Sequence, residues 1–301
     1  MDFESTIIEP KGRIGQLYGS REQQQHALAD DPGLHNVLGY ELAFADDPQS
    51  QDFLSPSSPY FLIKQLATDL YRHAFAPYYD GLPVTGRVLD LGGGIGRFTV
   101  PLARRFEEVV AVDACRTSLQ VCRRHLDEAG VANVTLHWAD LSCLAELPAA
   151  SFDVIFAVEL LCYATDPDAV MAQLSRVARP GAYLFVSVEQ LPGGICGLPL
   201  GRADYLGELL SGSPLLIEHD RFVNFFDREQ MIKLIDNTVW QIMKLEPLHY
   251  FSEGPFWQLL DDRRLSEPEY RQHIIAFEQK CRDDARTRNL ARVLSVVGRK
   301  K

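Results

Sequence analysis

Arg87-Val88-Leu89-Asp90-Leu91-Gly92-Gly93-Gly94-Ile95-Gly96 reads as a strand that runs straight into a glycine loop, and the residues that follow, to Arg105, carry a helical pattern. Glycines allow positive φ and let a ligand come close to the backbone. The helix start behind them carries partial positive charge. The spacing separates two kinds of ligand. A dinucleotide site wants G-x-G-x-x-G, and counted from Gly92 its third glycine falls at position 97, where this chain has Arg97. What stands here is G-x-G-x-G with Asp90 two residues ahead of it. A carboxylate at that point repels a pyrophosphate and suits a ligand with an ammonium group and no phosphate.

Outward from the loop, apolar runs alternate with helical patterns. Val109–Val112, Asn133–Trp138, Val154–Val158 and Tyr183–Val188 read as strands. Ser118–Ala129 reads as a helix capped by Thr117 or Ser118, and a second helix runs from about Asp168 to Ala178, stopped by Pro180-Gly181. Tyr60–Tyr79 has a helical apolar face, Arg228–Asp236 is a helix, and Gln241–Glu246 and Arg292–Val297 supply the last strands. Strands that are apolar throughout are covered on both faces. The pattern predicts an α/β fold: a doubly wound, mostly parallel seven-stranded sheet with helices on both faces. Residues 1–58 read as an irregular or partly helical N-terminal extension, closed by Ser55-Pro56-Ser57-Ser58-Pro59. Residues 59–301 form the domain proper, with cap insertions at about 191–221 and 252–289; the first is glycine-rich and reads equally as a lid or a surface loop.

The run VLDLGGGIGRFTVPLA, Val88 to Ala103, resembles the first motif of the class I, Rossmann-like S-adenosylmethionine-dependent methyltransferases. Asp113 in VVAVDAC, Asp140 in Trp138-Ala139-Asp140-Leu141, and Phe152–Glu159 stand where that family carries its next motifs. Ala178-Arg179-Pro180-Gly181 resembles the family's Lys-Pro-Gly-Gly turn with departures at two positions. The resemblance covers residues 87–190 well and 222–250 more weakly. It implies S-adenosyl-L-methionine as cofactor and S-adenosyl-L-homocysteine as product. It also implies a binding set of Asp90, Gly92, Gly93, Gly94, Gly96, Asp113, Ala114, Asp140, Leu141 and Glu159. Within that set Asp113 would accept from the ribose hydroxyls and Asp140 from the adenine amino group.

Methyl transfer from a sulfonium needs alignment and exclusion of water, and a base only where the acceptor must lose a proton. No catalytic motif is therefore required, and none is present. Candidates are His219, between Glu218 and Asp220, His249 beside Tyr250 and Phe251, and Tyr163 after the fourth strand. Aromatic residues gather in the insertions, Tyr205, Phe222, Phe225, Phe226, Tyr250, Phe251, Phe256 and Trp257 among them, either as walls of an acceptor pocket or as packing onto the sheet. Tyr18, Tyr60 and Tyr79 are candidates to close the N-terminal region over the cofactor.

The formal charge of −11 opposes nucleic-acid substrates, and the place after the fourth strand reads Glu159-Leu160-Leu161-Cys162-Tyr163 rather than an Asn-Pro-Pro-Tyr-type motif. None of the six cysteines forms a C-x-x-C pair, so neither a metal site nor a disulfide framework is expected. Residues 1–14 hold no apolar signal region, and no apolar run reaches a membrane span, so the expected place is the cytosol. The expected function is methylation of an O or N atom of a small molecule, natural products included, by a monomer or homodimer. A peptide or protein methyltransferase, or a non-methylating S-adenosylmethionine-binding protein on the same fold, are the alternatives.

Overall fold

The computed structural model describes residues 7–11, 13–198, 203–217, 221–236 and 239–301. Its main sheet is built from β1 (Ile7–Lys11), β2 (Arg87–Leu91), β3 (Glu108–Asp113), β4 (Val134–Ala139), β5 (Phe152–Ala157) and β6 (Ala178–Glu189), together with β9 (Trp240–Leu248) and β10 (Val293–Lys300). A hairpin of β7 (Leu215–Leu216) and β8 (Phe222–Val223) lies apart from it. The main sheet runs β1-β4-β3-β2-β5-β6-β10-β9. All pairings from β1 to β6 are parallel, and β10 is antiparallel to both β6 and β9. All seven strands expected from the pattern are present. The eighth, β1, comes from the N-terminal extension and pairs with β4 at the edge.

Alternation along the strands sends side chains to opposite faces. Leu89, Val110, Ile155 and Leu184 join one core with the helices Pro167–Val177 and Arg228–Asp236. Val88, Val109, Val154 and Phe185 join another with the helices Phe61–Tyr79, Thr99–Arg105 and Arg116–Glu128. In β6 the residues Arg179–Ala182 bulge opposite Asp153, because Phe152 pairs with Ala178 while Val154 pairs with Tyr183. The strand therefore starts at Ala178, ahead of Pro180-Gly181, and not at Tyr183.

One expectation needs correction. The cap of the helix Arg116–Glu128 is Cys115, whose Sγ accepts from Ser118 N at 3.4 Å; Thr117 and Ser118 lie inside the first turn, past the cap position. The N-terminal region takes the partly helical of the two forms expected of it. It holds helices Arg21–Asp30 and His35–Asp46, and Ile14, Leu17, Leu34, Val37 and Phe44 are buried in the second core. Most of the aromatic residues of the insertions pack: Tyr205, Phe222, Phe226, Tyr250 and Phe251 are buried, while Trp257 is exposed. Tyr79 lies against Phe156 and Phe185 under the sheet, and Tyr18 sits edge-on to Trp138.

All six cysteines are free thiols. Among the described residues no helix is long and apolar enough to cross a membrane.

Candidate functional site

The carboxyl ends of β2, β3 and β4 meet in one cavity, the usual ligand place in an open α/β sheet. Gly92, Gly94 and Gly96 have φ of 76°, 52° and 97°, which other residues rarely adopt. Gly92 N and Gly93 N donate to Val112 O at 2.8 and 3.1 Å and tie the loop to β3. A side chain at Gly94 would meet nothing within 4 Å; there the backbone faces open space. Asp90 points inward beneath the loop. It accepts from Thr99 Oγ1 at 2.6 Å, and burial pushes its pKa up to about 7 despite that bond. The structure thus directs Asp90 to the loop's own support, and the residue does not line the cavity.

Asp113 closes β3. Its Oδ2 accepts from Gly94 N and its Oδ1 from Cys115 N, both at 2.8 Å. Asp140 closes β4 in the same manner, accepting from Ser142 N at 2.9 Å and from Ile14 N of the N-terminal region at 2.8 Å. Each carboxylate oxygen keeps an unused lone pair. Trp138 Nε1 donates to Ala114 O at 2.9 Å and braces the turn after β3. Asp113, Ala114, Asp140, Leu141, Gly92 and Tyr163 line the cavity from the sheet, and Leu34, Asn36, Val37 and Tyr40 line it from the N-terminal region. Asn36 fastens that cover: its Nδ2 donates to Gly33 O and Phe222 O at 3.0 and 3.1 Å, and its Oδ1 accepts from Phe222 N at 3.0 Å. The backbone-lined loop, the open face at Gly94 and two carboxylates with spare acceptor capacity fit a ligand that bears hydroxyl and amino donors.

A second group of polar residues gathers beyond β5, β6 and β9. Glu159 has φ 55°; its carboxylate accepts from Tyr71 OH at 2.9 Å and pairs with Arg97 at 3.3 Å. Ser187 Oγ lies 2.9 Å from both Tyr71 OH and Glu159 N. Arg292 bridges Glu189 at 2.6 Å and Glu253 at 3.2 Å, and Lys64 pairs with Glu253 at 2.5 Å. Burial would raise the pKa of Glu159, yet Arg97, Arg292 and Lys64 hold it down to about 2. His249, φ 67°, is buried against the Tyr71 ring at 4.8 Å. Its Nδ1 lies 2.8 Å from Ser252 Oγ, and its Nε2 has no hydrogen-bond partner. Desolvation lowers its pKa to about 3, so the ring is neutral. Arg97 Nη2 is the neighbouring buried atom without a partner.

The structure therefore divides the candidates. Tyr163 lines the first cavity, with its phenol pushed well up by burial, whereas His249 belongs to the second group. His219 lies outside the described residues. Tyr71, Arg97, Ser187, Lys64, Glu253 and Arg292 went unread in the sequence; only Arg97, adjacent to Gly96, carried a signal by position. Among the described residues no three His, Cys, Asp or Glu side chains come together as a metal centre.

Residues 89–186 match a family model described as a methyltransferase domain. Over 101 residues the chain is 44% identical to the ubiquinone biosynthesis O-methyltransferase of Hahella chejuensis, covering 34% of this chain and 42% of that one. It is 36% identical over 139 residues to the enzyme of the same name from Paracidovorax citrulli, covering 45% and 58%. The chain thus spans about half the length of the curated relatives it matches. In fold it resembles Haemonchus contortus phospholethanolamine N-methyltransferase 2, solved with phosphomonomethylethanolamine and S-adenosylhomocysteine, with a TM-score of 0.52 and 18% identity over 88% of this chain and 56% of that one. With the glycine loop, the strand-end carboxylates and the sheet order in place, residues 89–186 carry a methyltransferase domain similar to that of the class I, Rossmann-like S-adenosylmethionine-dependent enzymes.

Proposed function

We propose that this protein transfers a methyl group from S-adenosylmethionine to a hydroxyl oxygen of a small-molecule acceptor and releases S-adenosylhomocysteine. The observation that carries the reading is the convergence of the glycine loop, Asp113 and Asp140 on one covered cavity. The O-methyltransferase names of the partial relatives support oxygen as the target atom.

Asp113 would accept from the ribose hydroxyls and Asp140 from the adenine amino group through their spare lone pairs. Ala114 and Leu141 would flank the adenosine, Gly92, Gly93, Gly94 and Gly96 would admit it closely, and Glu159 with Arg97 would face the charged methionine end. Asp90 serves the loop through Thr99. When bound, the cofactor supplies a methyl group already activated on sulfur. His249 is the better placed of the candidate bases: neutral, buried, and with Nε2 unused. A proton taken from the acceptor hydroxyl would rest on Nε2, where burial, Arg97 and Arg292 oppose the charged ring and the Glu159 and Glu253 carboxylates favour it. Tyr163 would bound the cofactor and not the acceptor.

Titration calorimetry with S-adenosylhomocysteine tests the cofactor site. Asp113→Ala removes two charge-assisted hydrogen bonds to the ribose, about 1.5–3 kcal/mol each, so affinity falls roughly 100-fold or more. An affinity within threefold of the parent in a folded variant overturns the assignment. Labelled cofactor with candidate acceptors tests transfer itself: a product heavier by one methylene on oxygen supports it. Transfer only to peptides, or cofactor bound and never demethylated, overturns it in favour of the other two readings.

A further inference from the structure

We propose that Glu278, in the insertion helix Pro268–Asp283, is a positioning residue that acts through His249. The inference rests on the reading of His249 as the base that receives the acceptor's proton.

Non-glycine residues with positive φ are few among the described residues: Ala150, Glu159, His249 and Glu253. Three of these four fall in the polar group beyond β5, β6 and β9. Such backbone persists only where the surroundings over-determine it, and it concentrates at functional sites. The turn after β9 shows what does the determining. Glu278 Oε1 accepts from Phe251 N at 2.8 Å and Tyr250 N at 3.0 Å, and its Oε2 also accepts from Tyr250 N at 3.0 Å. From the other side His249 O accepts from Arg292 N at 3.0 Å. Gly254 packs so tightly under the turn that a Cβ there would come within 2.1 Å of His249 O. The two amides that follow His249 are therefore pinned by one carboxylate, and the imidazole leaves the turn with Nδ1 on Ser252 and Nε2 free.

Glu278 is only 4% exposed, and among the described residues it forms no ion pair. Its counter-charge consists of backbone amide dipoles alone. A carboxylate buried without a cation is costly, and a plain helix anchor would be served as well by an apolar side chain. Placing the acid there makes sense where the turn must present its side chain in one orientation. The burial of Glu278 raises its pKa to about 7, against the pull of the amides of Phe251 and Tyr250, so the anchor is held with little reserve. The second insertion, by this account, reaches the chemistry through one side chain, although none of its own residues needs to touch the cofactor.

The test is nitrogen NMR of the full chain labelled on histidine, with His249→Gln assigning the signal. At pH 7 the parent should show His249 as one neutral tautomer with widely separated ring-nitrogen shifts. In Glu278→Gln, which keeps the volume and loses the charge, the separation should shrink by about half or more as the tautomers mix. An unchanged His249 signal in a variant that still melts cooperatively overturns the proposal. If Glu278→Gln fails to fold, Glu278→Asp, which keeps the charge and withdraws it by one methylene, carries the same readout with the same two outcomes. Calorimetry with S-adenosylhomocysteine runs in parallel. Failure of the parent chain to bind it refutes the methyltransferase reading and leaves the Glu278–His249 coupling to stand or fall by the spectrum.

Discussion

Replacing Asn36 by alanine should loosen the whole cover of the proposed cofactor cavity. Asn36 is buried, and its amide clasps Phe222 from both sides, giving Nδ2 to the Phe222 carbonyl at 3.1 Å and taking the Phe222 amide on Oδ1 at 3.0 Å. A third bond at 3.0 Å closes its own turn on Gly33 O. Phe222 is on β8, 186 residues away along the chain. One side chain therefore joins the N-terminal region to β8, where the first cap insertion ends. Alanine leaves the Phe222 N–H and C=O buried and unpaired, at about 1–3 kcal/mol for each group. Partial entry of water brings the sum to roughly 3 kcal/mol. For a chain of this size each kilocalorie lowers the melting temperature by about 2 °C, so a fall of roughly 6 °C is expected.

Calorimetric melting reads the magnitude, and amide exchange reads the place. Protection should drop at residues 31–46 and at Phe222 ahead of the central strands, because the loss severs a tether and leaves the sheet intact. Asn36→Asp should do no better, since its carboxylate would face the Phe222 carbonyl. A melting temperature within 1 °C of the parent, with the Phe222 amide still protected, would refute the account of the cover.

Two further outcomes test the loop. Gly96→Ala places a Cβ 3.0 Å from Cys122 Sγ at a φ of 97°, costing about 1–3 kcal/mol in backbone strain; Cys122→Ala should relieve the contact and leave the strain, and full rescue in denaturant titration would contradict the conformational argument. Asp90 titrates higher in the fold than in the unfolded chain, so the folded state binds more protons between about pH 4 and 7 and the stability it contributes is lost as pH rises through that window. Asp90→Asn, which keeps the acceptor for Thr99, should grow more stable relative to the parent across the same window, and a constant difference from pH 4 to 8 would dispose of the burial effect.

The parts legible in the sequence are those where one segment does one job. Leu89, Val110 and Ile155 sit in strands apolar on both faces, and each was found from its own neighbourhood. Asp113 and Asp140 follow their strands directly, so chain position announced them. The N-terminal region failed that test because its anchors are dispersed: Leu17, Ala27, Leu34 and Phe44 belong to different short elements, each giving one or two side chains to a core made elsewhere. The capping box of Ser20 and Gln23 was readable as S-x-x-Q, but a cap says that a helix starts and not what it covers. The polar group around Tyr71 was legible only at Glu159 and His249, for a related reason. Lys64, Arg97, Glu159, Ser187, His249 and Arg292 lie on six separate segments, and no local pattern joins them.

That group also bears on why the protein keeps so unfavourable an arrangement. Glu159, His249 and Glu253 in left-handed backbone cost on the order of 1–3 kcal/mol apiece. The ion pairs beside them lose in desolvation much of what they gain in attraction. Against a net stability of about 5–15 kcal/mol for a typical domain, this is a large local penalty, and apolar side chains of similar volume would fill the same space without it. The penalty falls on one patch, at the carboxyl ends of β5, β6 and β9, and the buried Nε2 of His249 and Nη2 of Arg97 remain unpaired in its midst. Packing alone would have satisfied those two atoms or removed them. Unpaired hydrogen-bonding atoms, strained backbone and opposed charges coincide on this one patch, which supports the proposal that the acceptor binds on the Tyr71 side of Glu159 and the adenosine on the side of Asp113.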